Sequence, residues 1–150
     1  MVKGACFDMT QIDFYTHTPD KYHTACVLCA KAVARGMRVM VYTPDAETTE
    51  KMDRLLWSTP AIGFTAHCRG ADRLASVTPV VVDHHAEPLA HDEILLNLHP
   101  EHPMFFSRFH RLIEIVSQDE ADRATARERF RFYRDRGYEI NSHDIGHKAR

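Results

Sequence analysis

With 150 residues, 44% of them hydrophobic and 27% charged, the chain is long enough for one domain with a real core and too short for two comfortable ones. A net charge of −2 and a pI near 6.6 give it no overall attraction to phosphate, and no apolar run is long enough to cross a bilayer. Met1 to Asp8 lack the basic start and apolar stretch of a signal peptide, so a soluble, cytoplasmic protein without a membrane partner is expected.

In chain order, Gln11 to Thr16 reads as a strand, Lys21 to Arg35 as a helix ending at Gly36, and Arg38 to Tyr42 as a second strand. Thr43 and Pro44 then offer an oxygen-bearing cap and a first-turn proline for a helix running to about Leu56, with Trp57 at its exit. Further strands are expected at Gly63 to His67, Val80 to His84, Ile94 to Leu98 and Leu112 to Val116, followed by a helix over residues 121–138. Near-continuous apolar strands alternating with helices mean an α/β fold, a largely parallel central sheet flanked by helices. Residues 141–150 form a short edge strand or a frayed tail.

Nucleotide chemistry lacks its machinery. The six glycines, Gly4, Gly36, Gly63, Gly70, Gly137 and Gly146, make neither GxG nor GxxxxGK, so no backbone cradle for phosphate is present. Cys26 and Cys29 have metal-ligand spacing, but Tyr22, Cys26, Cys29 and Val33 share one helical face, which places both thiols in the core as small hydrophobes. The CxxC also begins a full turn inside its helix, away from the terminus where the dipole would activate a thiol. The histidines fall in polar loops such as HHAEPLAHDE and HPEHP, with no second cysteine pair to close a site, and no serine lies in a GxSxG turn. The expectation is therefore no cofactor, no metal and no catalytic residue.

Two features look like contact surfaces. Residues 121–138 concentrate six arginines in one amphipathic stretch. At helical spacing Arg123, Arg127, Arg131 and Arg134 form a cationic stripe beside Ala126, Phe130, Tyr133 and Gly137. Such an edge suits a ligand with carboxylates and a hydrophobic end, because guanidinium pairs oxygens bidentately while an apolar cleft takes the rest; the other reading is a solvated helix face. The only tryptophan, Trp57, stands at a turn before Pro60 and Phe64, where an aromatic either meets a partner or caps the core. Direct specific nucleic-acid binding would rest on the arginine helix alone and is not expected.

The blocks Leu55-Leu56-Trp57-Ser58-Thr59-Pro60 with Phe64, Ala126-Arg127-Glu128-Arg129-Phe130, and Tyr133-Arg134-Asp135-Arg136-Gly137-Tyr138 resemble the chi subunit family of bacterial DNA polymerase III holoenzyme. So do Ile12-Asp13-Phe14-Tyr15 and the Gly36-x-Arg38-Val39 entry to the second strand, and the resemblance spans roughly Met9 to Ile140. It implies a single α/β domain over 9–140 of nucleotide-binding-like topology without a phosphate loop, with residues 1–8 as an N-terminal extension. It also implies a non-catalytic clamp-loader subunit that joins the psi subunit to the acidic C-terminal tail of single-stranded-DNA-binding protein, with a helicase as a further partner through the psi-facing surface. On this resemblance Trp57, Pro60 and Phe64 face psi, while Val116, Arg123, Arg127, Phe130 and Arg134 take the tail. That tail typically ends in aspartates followed by Ile-Pro-Phe, which matches arginines beside an apolar seam. Arg123 and Phe130 stand where some members carry lysine or tyrosine, keeping charge and ring but losing one hydroxyl. An enzyme on the same fold, an α/β hydrolase or metal-dependent enzyme using the His-rich loops, is the alternative, since fold alone does not choose between them.

Overall fold

The structure is a computed structural model that describes residues 9–58, 67–69, 74, 78–85 and 91–146. Seven strands, β1 (Gln11–Thr18), β2 (Val39–Tyr42), β3 (His67–Cys68), β4 (Val80–Asp83), β5 (Ile94–Asn97), β6 (Arg111–Ser117) and β7 (Ile140–Asp144), form one sheet in the order β3-β4-β2-β5-β6-β1-β7. Every pairing is parallel. Among the described residues three α-helices make the crossovers: α1 (Lys21–Ala34), α2 (Ala46–Ser58) and α3 (Glu120–Asp135).

Strand alternation sends successive side chains to opposite faces, and both faces are covered. Val39, Val41, Ile94, Leu96, Ile113 and Ile115 pack with Ala25, Cys26 and Cys29 of α1 and Met52 and Leu56 of α2. Their neighbours Met40, Leu95, Leu112 and Val116, with Ile12 and Phe14, pack on the other face with Ala126 and Tyr133 of α3 and with Phe106 and Phe109 around a short 3-10 turn. The sheet therefore separates α1 and α2 from α3. Both thiols of the CxxC lie in the first core, where burial, aided by Asp20, pushes Cys26 up to about 11 and burial pushes Cys29 higher still.

One local expectation needs correction. The second helix opens later than Thr43-Pro44: Asp45 caps it, its carboxylate accepting the Thr48 N–H at 2.8 Å, while Thr43 is buried and bonds Thr49 through its hydroxyl. The strand expected at Gly63 to His67 lies outside the described residues except at His67, where β3 (His67–Cys68) is described. The remaining predicted elements lie within a few residues of their observed bounds. Gly36, at φ 79°, ends α1 as expected, a left-handed backbone that glycine adopts without steric cost.

Candidate functional site

The arginine segment folds as α3 because both ends are satisfied locally. Asp119 accepts the Asp122 N–H at 3.1 Å, and Glu120 and Asp122 place negative charge in the first turn, against the positive end of the dipole. At the other end Gly137, at φ 85°, lets the Tyr138 N–H reach back to the Tyr133 carbonyl at 3.2 Å.

One of the six arginines is not on the surface. Arg129 is 3% exposed; its Nε donates to Glu114 Oε1 at 2.9 Å and its Nη1 to the Pro100 carbonyl at 2.7 Å. Glu114 lies on the α3 face of β6 between Leu112 and Val116, and its Oε2 accepts the Tyr133 hydroxyl at 2.6 Å and the Asn97 amide at 3.0 Å. Burial pushes the Glu114 carboxyl up, while Arg129, Tyr133 and Asn97 pull the other way; burial and Glu114 itself push the Tyr133 hydroxyl far up, so it stays a donor. This network bolts α3 to the middle of the sheet. An acidic residue inside the apolar run LIEIV was its sequence signal.

Above the bolt, between the N-terminal half of α3 and the far ends of β1 and β6, lies a groove of about 280 Å³. Crevices at the carboxyl ends of parallel strands are where open α/β sheets take ligands. Phe14, Val116 and Ala126, all nearly fully buried, form its floor, and Phe130 leans on Phe14 with ring centroids 5.5 Å apart. Arg123 and Arg127 stand at the rim from the helix side; Thr16 and His17 of β1 and Ser142 of β7 line it from the strand side. The groove thus brings together Val116, Arg123, Arg127 and Phe130. Arg134 lies outside it, its guanidinium 3.3 Å from the carboxylate of Asp135, and Arg131 is exposed elsewhere on the helix.

Both rim arginines reach one carboxylate: Glu120 lies 3.6 Å from Arg123 and 3.1 Å from Arg127, with all three side chains exposed. The entrance to α3 is also tied to α1, since Asp122 pairs with Lys21 at 3.0 Å and accepts the Ser117 N–H at 2.8 Å. Burial acts to raise the Asp122 carboxyl, but Ser117 and Lys21 outweigh it and hold the group below its ordinary range. Thr16 and His17 carried no local signal, because they approach α3 from about a hundred positions away in sequence, and Ser142 reaches the groove only because β7 pairs with β1.

On the opposite face of the sheet, Trp57 ends α2 at 61% exposure, edge-on to His67 at 5.1 Å between centroids. Pro60 and Phe64 lie outside the described residues. Asp83, His84 and His85 at the end of β4 bring three potential metal ligands within 4.8 Å of one another. Asp83 Oδ1 already accepts the N–H groups of His84 and His85, at 2.8 and 3.1 Å, and lies 3.6 Å from Arg69. No described helix is long and apolar enough to cross a membrane.

Residues 9–141 match the family described as DNA polymerase III chi subunit, HolC. Three relatives are each named DNA polymerase III subunit chi. The protein from Pseudomonas aeruginosa is 33% identical over 141 residues, covering 91% of this chain and 98% of that relative. That from Haemophilus influenzae is 26% identical over 81% of this chain and 85% of its own length, and that from Escherichia coli 25% identical over 78% and 80%.

Proposed function

The chain belongs to the family of DNA polymerase III chi subunits, and from that premise we propose that it is a non-catalytic clamp-loader subunit bridging the psi subunit and the acidic C-terminal tail of single-stranded-DNA-binding protein. The observation that carries this reading is the groove under α3, where Arg123 and Arg127 border an apolar floor made by Phe14, Val116, Ala126 and Phe130. Guanidinium groups pair the aspartates and the terminal carboxylate of such a tail, and the floor takes its last side chain. Arg134 joins as an outer contact for acidic residues farther from the terminus. Exposed Trp57, on the other face of the sheet, anchors psi together with Pro60 and Phe64. A helicase competing for that surface follows from the same assignment.

Calorimetric titration with a peptide copying the last residues of the organism's own single-stranded-DNA-binding protein tests the tail half. One-to-one binding that weakens as salt rises is expected, since partly exposed charge pairs are screened over about 8–10 Å. Arg127→Ala should cost on the order of 1–3 kcal/mol of that binding. Absence of binding, or full affinity in the Arg127 variant, refutes the assignment.

A further inference from the structure

The backbone of His17 sets it apart from the rest of the groove. Its φ of 63° is the only left-handed value outside glycine among the described residues, and it falls where the β1–β6 register shifts between Tyr15 and Thr18. Positive φ is uncommon outside glycine, although histidine adopts it more readily than most residues, and such positions concentrate at binding sites when their surroundings hold them. Here three contacts impose it. Nδ1 lies 3.3 Å from the Asp144 carboxylate at the end of β7, and the His17 carbonyl accepts the Gln118 side-chain amide at 3.1 Å. Gly146 packs so close that a Cβ there would come within 2.8 Å of the His17 Cβ and 3.0 Å of its carbonyl oxygen.

We propose that His17 is a specificity-determining wall of the groove, selecting an acidic peptide whose last residue is aromatic; this rests on the reading that the groove binds such a tail. His17 reaches the groove from the strand side, whereas Arg123, Arg127 and Phe130 reach it from the helix. Phe130, braced on Phe14 at 5.5 Å, supplies an aromatic surface from the helix side, and His17 lines the groove from the strand side. A terminal aromatic ring is large enough to touch Phe130 and still reach His17, which a small side chain is not. Glycine or asparagine at position 17 would meet the backbone demand with less strain, but neither carries a ring. The contacts from Gln118, Asp144 and Gly146 therefore serve to aim a ring.

The test titrates two peptides, one ending Asp-Asp-Ile-Pro-Phe with a free carboxylate and the other identical but ending in alanine, against the full chain and its His17→Asn, Gly146→Ala and Arg127→Ala variants. Thermal melts verify folding in parallel. The unaltered chain should prefer the phenylalanine peptide. His17→Asn and Gly146→Ala should each lose about three- to tenfold in affinity for it and leave the alanine peptide unchanged, whereas Arg127→Ala should weaken both. If neither peptide binds the unaltered chain, the tail reading itself falls. If the unaltered chain discriminates and Arg127→Ala weakens both peptides, yet folded His17→Asn keeps the full preference, the wall assignment is overturned and the tail reading stands. His17→Asn decides alone should Gly146→Ala fail to fold.

Discussion

Glu120 occupies the position that an acidic ligand would want. Its carboxylate lies within reach of one guanidinium nitrogen of each of Arg123 and Arg127, so an arriving carboxylate competes with it for those donors. Exposed pairs of this kind are individually weak, so the competition is modest. Glu120→Gln should raise tail affinity by about two- to fivefold, and titration at a single low salt concentration reads the change. An unaltered affinity would mean that the two arginines are not the tail's partners, or that the acid swings away at no cost. Arg123, Arg127 and Phe130 were legible in the sequence because a helix of known period places cations beside an apolar seam. Arg129 was not: the same period that puts it near them turns its side chain inward, and only Glu114, an acid in the middle of an apolar strand, hinted that a buried cation must exist. His17 left no trace, since neither its backbone angle nor its partners a hundred residues away follow from neighbouring residues.

At the scale of elements, the groove depends on how α3 sits on the sheet, and that pose is held by the Glu114 network. Removing one member of a buried ion pair leaves the other charged and unsatisfied, whereas replacing both by apolar groups is often neutral. Arg129→Met should therefore destabilise the fold by about 3–5 kcal/mol, and the double variant Arg129→Met with Glu114→Leu should recover part of it, less about 1–3 kcal/mol for the buried Tyr133 hydroxyl that loses its acceptor. Denaturant melts of the two variants make the comparison; equal losses in both would show that packing, not charge, holds the helix. The elements themselves were largely readable because hydrophobic periodicity switches between strand and helix along the chain. The start of α2 was misjudged because Thr43 and Asp45 are both good caps, and burial of Thr43 in the core decided between them.

For the molecule as a whole, the sheet lies between two helical layers, with Trp57 on the layer of α1 and α2 and the arginine groove under α3. Substitutions on one layer should not reach the other. Trp57→Ala should cost the psi complex about 2 kcal/mol or more while leaving peptide binding unchanged, and co-purification with psi alongside peptide titration measures both. Loss of both activities in a folded variant would replace the two-layer picture with a single shared surface. The strand order carries a further consequence. Among the described strands β1 is the first synthesised, yet its neighbours on either side are β6 and β7, the last two. As the polypeptide leaves the ribosome, both edges of β1 stay unpaired until residues beyond 110 have emerged, and the groove lacks Ser142 and the Asp144 brace of His17 until almost the whole domain is outside the exit tunnel. Nascent strands with open edges are prone to pair wrongly. A partner that arrived once β6 had emerged but before β7 would find the Trp57 layer, whose core ends at Ile115, able to form, but no complete place to put an acidic tail.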